Sequence, residues 1–247
     1  MQRLFKTKAI VLRTVKYGDT SLVVLMLTEL FGVQSYLVSG VRSTSKKGAS
    51  KAGLFQPAAM LDLVVYHNEL KNLQRIKEFR WHHLYEHIFS DVTANAVALF
   101  MVELLSKSLK QPEENPDLFA FTEDSFLHLD GADAQVTANF PLFFALHLAG
   151  FFGFRVDDRF SERNSFLDLR EGSFVDQRPT HPQFLEERAA AVTAELLRAR
   201  RPEEIADIRL HHDFRRNLLF AYETYYALHV QEFGAMKTLP VLRDLLG

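Results

Sequence analysis

The sequence predicts an α+β protein in two parts, a small β-barrel over residues 1–82 and a mainly α-helical domain over 83–247. Three observations lead there. Five extended segments rich in β-branched and apolar residues fall within residues 8–79, separated by turn signals. After Trp81 the apolar spacing changes to a helical period. Charge divides at the same point: residues 1–82 hold 13 Lys or Arg against 5 Asp or Glu, and the remainder holds 16 against 26. The net charge of −2 therefore hides +8 beside −10. A basic first third on an acidic remainder suits an encounter with a polyanion.

The strands are predicted at residues 8–16, 21–28, 34–38, 58–66 and 73–79. Tyr17-Gly18-Asp19, the stretch 29–32 and His67-Asn68-Glu69 supply turns between them. In the fifth strand a strict alternation places Leu73, Arg75, Lys77 and Phe79 on one face. Five short strands in this order point to a barrel or sandwich, and with a basic surplus to the OB barrel of single-strand-binding modules.

Helical periodicity runs over residues 84–110, with Ile88, Val92, Ala96, Leu99, Val102 and Leu105 along one stripe. Asn115-Pro116 opens a second helix that should stop at Gly131. Residues 139–152 form a Phe-rich helix, with Gly153 as its C-terminal cap. This run falls short of the roughly 20 apolar residues that span a bilayer, so it reads as buried. Residues 155–182 are irregular, with a short hairpin about Glu171-Gly172. Helices follow at 184–201, 211–233 and 239–246.

The chain has no cysteine, which excludes disulfides and thiolate metal sites and agrees with a reducing cytosol. The charged N-terminus, MQRLFKTKAI, lacks the apolar centre of a signal peptide. No dinucleotide fingerprint, phosphate-binding loop or nucleophile elbow is present. His83 and His87 stand four apart and would share one helical face as metal ligands, but Leu84 stands where a metalloprotease helix needs glutamate. His211-His212-Asp213 precedes a helix and reads as a cap. The sequence thus carries no positive sign of an enzyme.

The stretch 39–57, SGVRSTSKKGASKAGLFQP, holds Arg42, Lys46, Lys47 and Lys51 without one acidic residue, among glycines and hydroxyls. Such a loop offers cations to phosphate oxygens. Arg13, Lys16, Lys71, Arg75 and Lys77 are expected to line one groove with it. Tyr17, Tyr36, Tyr66 and Phe55 are candidate stacking platforms for bases.

The opening TKAIVLRTVKYGDTSLVVLMLTELFG resembles the start of the RecO family of bacterial recombination mediators. So do Ser39-Gly40-Val41-Arg42 with the basic loop, Leu54-Phe55-Gln56-Pro57, and the central Ala149-Gly150-Phe151-Phe152-Gly153-Phe154. The resemblance spans nearly the whole chain and is tightest in its first 80 residues. It implies an OB barrel on a helical domain, acting in the bacterial cytoplasm at the nucleoid. It implies binding of single- and double-stranded DNA, annealing of complementary strands and, with RecR, loading of RecA onto DNA coated by single-strand-binding protein. The acidic C-terminal tail of that coat protein is the implied contact. The family's basic DNA-contacting region falls on Arg42, Lys46, Lys47 and Lys51. Many members also carry a four-cysteine zinc ribbon after the central helix. Here the corresponding residues offer only Asp157, Asp158, Glu162 and Asp168, so a metal-free ribbon held by Phe160, Phe166, Leu169 and Phe174 is expected. Two other readings stand beside this one: an adaptor whose barrel binds protein instead of DNA, and a hydrolase centred on His211, His212 and Asp213.

Overall fold

The computed structural model describes residues 3–42, 51–109 and 113–246. The chain gathers into two compact units, Met1–Glu86 with Leu109–Leu127, and His87–Ser108 with His128–Gly247.

In the first unit, β1 (Arg3–Tyr17), β2 (Ser21–Thr28), β3 (Gly32–Val38), β4 (Met60–His67) and β5 (Leu73–Trp81) form a closed barrel ordered β1-β2-β3-β5-β4. Every neighbouring pair is antiparallel except β3 and β5, which run parallel. This is the OB barrel that the strand pattern predicts. β1 is long because its first half pairs with β4 and its second with β2.

Two bulges set which side chains face outward. Between Val11 and Arg13 the pairing with β2 skips Leu12, so Ile10, Val11 and Leu12 are all buried and the alternation restarts at exposed Arg13. In β5 the pairing with β4 passes from Glu78 to Ile76 and leaves Lys77 as the extra residue. The single face expected for Leu73, Arg75, Lys77 and Phe79 is therefore broken. Leu73 and Arg75 point outward, whereas Phe79 stands beyond the bulge with its ring 4.8 Å from that of buried Phe55. Phe55 ends a 3₁₀ turn, Lys51–Phe55, between β3 and β4.

The helices are α1 (Val92–Ser108), α2 (Pro116–Asp130), α3 (Ala134–Leu148), α4 (Glu187–Arg198), α5 (His212–His229) and α6 (Thr238–Leu245). The first helix starts eight residues later than its periodicity predicts. Asp91 accepts from the Ala94 N–H at 2.8 Å and caps it there. Ahead of it, the His87 and Ile88 N–H groups both donate to Asp130 Oδ1 at 2.9 Å, which holds that stretch in turns. His83 and His87 consequently share no helical face, and the geometric basis for a metal pair there is gone.

In the second unit α3 and the 3₁₀ turn that extends it, Ala134–Phe152, are long and apolar enough to cross a membrane. This segment is instead the buried centre of its unit, with Phe140, Leu142, Phe144, Leu146 and Leu148 all at 2 % exposure or less. Asp133 caps its start through the Val136 N–H, and Gly153 ends the turn with φ +82°. α5 begins at His212, and His211 makes no side-chain cap, contrary to the capping role expected of that cluster. Asp213 pairs with Arg216 at 3.1 Å instead.

Residues 166–185 form a three-stranded sheet of β6 (Phe166–Asp168), β7 (Ser173–Val175) and β8 (Phe184–Leu185), ordered β7-β6-β8. Its hairpin turns at Gly172, φ +64°, as the Glu171-Gly172 pair predicts. Asp168 accepts from the Arg170 N–H at 2.8 Å and meets His181 Nε2 at 3.1 Å. Leu167, Leu169 and Phe174 are buried, and Phe160 packs edge-on against Phe174 with centroids 5.4 Å apart.

Gly172 has both a left-handed backbone and no room, since a Cβ there would lie 2.5 Å from Tyr225 Oη. Gly172→Ala should cost about 2–3 kcal/mol, combining backbone strain with the displaced tyrosine. Gly131→Ala meets open space and should be close to neutral. Urea denaturation of both variants checks the contrast; equal midpoints would contradict it.

Candidate nucleic-acid interface

Residues paired across neighbouring strands lie on the same side of a sheet, so the barrel's registers place its outward side chains. One row runs Arg13, Leu25, Ser35, Leu73 from β1 to β5. The next runs Val15, Val23, Leu37, Arg75 and ends on Tyr66 of β4. The inward row beside them, which starts at Thr14, is buried at Val24, Tyr36 and Gln74.

The outer face of β1, β2, β3 and β5 is thus an apolar strip with an arginine at each edge. Its width is three strand spacings, about 14 Å at roughly 4.8 Å each. Val15, Leu73 and Tyr17 are 45 %, 40 % and 57 % exposed. Arg13 and Arg75 are exposed and make no ion pair among the described residues. Aliphatic and tyrosyl surface suits the faces of unstacked bases, and unpaired guanidinium groups suit phosphates.

The remaining predicted cations do not join this face. Lys16 pairs with buried Leu22 on the inward side at the barrel's end, where it is exposed. Arg42 reaches back to the Gly18 carbonyl of the β1–β2 turn at 3.0 Å. Lys51 and Lys77 border a separate cleft of about 450 Å³ with Phe79, Arg80 and Trp81, and Lys77 lies 3.5 Å from Glu78. Lys71 lines a third hollow with Phe31 and His67, whose rings stack at 3.9 Å. The single groove expected for Arg13, Lys16, Arg42, Lys71, Arg75 and Lys77 is therefore not formed: Arg13 and Arg75 share the strip, while Lys16, Arg42, Lys71 and Lys77 stand apart from it. The two β-bulges and the barrel's curvature scatter them. Lys46 and Lys47 lie outside the described residues.

Of the four aromatic candidates, Tyr36 and Phe55 are 0 % and 1 % exposed and belong to the core. Burial pushes the Tyr36 hydroxyl far above its ordinary pKa. Tyr17 and Tyr66 remain on the surface, Tyr66 opposite Arg75. The apolar rows themselves were hidden in the sequence, because the Leu12 bulge inverts the alternation that a strand pattern counts from. Trp81, the only tryptophan, gave no sequence signal beyond its rarity.

The three-stranded sheet of the second unit offers no donor set for zinc. Asp157 pairs with Arg159, Asp158 with Arg198 at 3.0 Å, and Asp168 with His181 and two N–H groups. No group of three or more metal-binding side chains occurs among the described residues. Elemental analysis of the purified protein should find less than about 0.1 zinc per chain, in keeping with a ribbon devoid of thiolates; one zinc per chain would contradict this.

Barrel order, outward strip and appended helices together define an OB-barrel protein with a helical second domain. Residues 1–85 match the family of Recombination protein O N-terminal domains, and residues 89–239 match the family of Recombination protein O C-terminal domains. DNA repair protein RecO of Phocaeicola vulgatus is 34 % identical over 99 % of this chain and 100 % of its own length. The Bacteroides fragilis protein of that name is 34 % identical over 98 % and 99 %, and that of Flavobacterium psychrophilum is 32 % identical over the same shares. The chain belongs to the RecO family of DNA repair proteins.

Proposed function

We propose that this protein binds single- and double-stranded DNA and anneals complementary strands without chemical catalysis. Together with RecR it helps load RecA onto DNA coated by single-strand-binding protein, working in the bacterial cytoplasm at the nucleoid. The acidic tail of the coat protein, with its apolar end and free carboxylate, is the proposed handle on the coated strand. The observation that carries the DNA part is the apolar outer strip edged by Arg13 and Arg75, on an OB barrel whose first 82 residues have a charge of +8.

The assignment of roles follows from position. Arg13 and Arg75 take phosphates on either side of bases laid over Val23, Leu25 and Leu37. Tyr17 at one end and Tyr66 beside Arg75 are the stacking platforms. Arg42, Lys46, Lys47 and Lys51 form a second, sequence-independent cationic contact, with Lys16, Lys71 and Lys77 adding field at the rims. Annealing needs bases held open and backbone repulsion lowered, and a strip that stacks while its edges neutralise does both.

An apolar strip also fits a protein partner, which keeps the adaptor reading alive. Salt separates the two, because phosphate contacts release counterions and apolar protein contacts do not. Charge reversal of Arg42, Lys46, Lys47 and Lys51 to Glu should flatten the slope of log affinity against log salt for single strands by up to about 3, at about 0.7 per phosphate contact. Arg13→Glu with Arg75→Glu should flatten it by about 1.4 on the same basis and abolish annealing. Arg13 and Arg75 are exposed, so the melting curve of that double variant should stay close to wild type. Unaltered slopes in both variants would leave the adaptor as the better account.

A further inference from the structure

Trp81, the chain's one tryptophan, is the last residue of β5. It and Phe79 pair with Leu61 and Leu63 of β4, which are 0 % and 1 % exposed, so both aromatic side chains belong to the inward side of the sheet. Both are nevertheless only half-buried. The topology explains this. β3 pairs with β5 no further than Arg75, so beyond that point β4 is the only partner of β5 among the described strands. The 3₁₀ turn Lys51–Phe55 meets this stretch through Phe55, whose ring lies 4.8 Å from that of Phe79. Beside that contact the cleft of about 450 Å³ remains open, bounded by Leu54 of the turn and by the end of β5.

Its lining is of two kinds. Leu54, Phe79 and Trp81 are apolar, and two of them are flat. Lys51, Lys77 and Arg80 are exposed cations, set against Glu78 as the one carboxylate among the described lining residues. Arg80 is taken up by Asp62 at 2.9 Å. Lys77 lies 3.5 Å from Glu78, and an exposed pair of that kind holds its members weakly. Lys51 makes no ion pair among the described residues. Two lysines thus keep charge to give beside two aromatic rings, and that combination suits a phosphate joined to a nucleobase. The bulge at Lys77 keeps the cleft apart from the strip. Leu73 and Arg75 point outward before it, and Phe79 and Trp81 belong to the inward side after it.

We infer that this cleft takes a single nucleotide bearing a terminal phosphate, with its base against Trp81 and Phe79 and its phosphate between Lys51 and Lys77. A volume of this size holds one base with its sugar and phosphate, not a run of stacked bases. A terminal phosphate carries roughly 1.5 to 2 negative charges near neutral pH, whereas a phosphodiester within a strand carries one. Two lysines against one exposed glutamate favour the former. A 5′-phosphorylated strand end and a free nucleotide share this chemistry. The site goes beyond the function proposed above, which lays the body of a strand across the strip and gives Trp81 no part.

Because Trp81 is the only tryptophan, indole fluorescence of the full chain reports on this cleft. The titrants are thymidine 5′-monophosphate, thymidine, and hexathymidylate with a 5′-phosphate or a 5′-hydroxyl. Both phosphorylated forms should quench the indole saturably, and each hydroxyl form should need at least tenfold more. Lys51→Glu with Lys77→Glu should weaken the phosphorylated forms at least tenfold, with melting curves confirming the fold. Should that variant not fold, the phosphate and hydroxyl pairs decide without it. Equal quenching by phosphate and hydroxyl forms, wild-type quenching in the folded lysine variant, or no saturation below about 1 mM overturns the site. Tetraaspartate quenching at lower concentration than either phosphorylated form overturns it in favour of an acidic peptide. With the site upheld, tighter binding of the phosphorylated hexathymidylate assigns a strand end, and tighter binding of the monophosphate assigns a free nucleotide. Arg13→Glu with Arg75→Glu should leave the monophosphate titration unchanged, and its loss there would overturn a cleft separate from the strip. Intact quenching by the monophosphate together with salt-insensitive strand binding would count against the strip alone.

Discussion

The parallel pairing of β3 with β5 is the contact on which the rest of the barrel depends. Ser35, Tyr36 and Leu37 lie beside Leu73, Gln74 and Arg75, and through them the sheet closes. Closure removes the exposed edge that a five-stranded sheet would otherwise carry. It also brings Arg75, a residue far from β1 in sequence, onto the strip that begins at Arg13. Inside, closure buries Tyr36 and Gln74 next to each other, and Gln74 spends its amide on the Asn68 and Lys71 carbonyls, which shapes the β4–β5 turn. An apolar outward strip and a polar inward glutamine invert the usual rule for a barrel. The inversion makes sense if the strip has a ligand to cover it.

Much of the fold was legible because strand and helix periods differ and the chain changes from one to the other at one point. Proline, asparagine and glycine punctuated it truthfully: Asn115 caps α2 through the Leu118 N–H, and Gly153 and Gly172 take positive φ where a turn requires it. What periodicity could not show were the bulges at Leu12 and Lys77, since one extra residue leaves composition unchanged and reverses every side chain beyond it. The early start assigned to α1 failed for a related reason. Ile88 is buried at the helical spacing, but it is held by Asp130, 42 residues away, and not by a helix. Tertiary hydrogen bonds of that range leave no local signal.

The candidate site was legible in chemistry and not in arrangement. Charge asymmetry identified the barrel as the cationic part, and that follows from composition alone. Which cations stand together depends on register, so Arg13 and Arg75 were named among nine without being joined. Arg215 was invisible for a different reason. An arginine on a helix reads as a solvated face, and only the structure shows it buried and donating to three neutral acceptors.

The central claim is that a single strand lies across the outer face of β2 and β3. Photo-crosslinking tests it most directly, using an oligothymidylate with scattered 5-iodouracil and mass spectrometry of the joined peptides. The account places the crosslinks on Tyr17 and Tyr66 and on peptides from 13–25, 33–38 and 73–81, with double-stranded competitor reducing them. Crosslinks confined to residues 87–247, with the barrel unmarked, would contradict it.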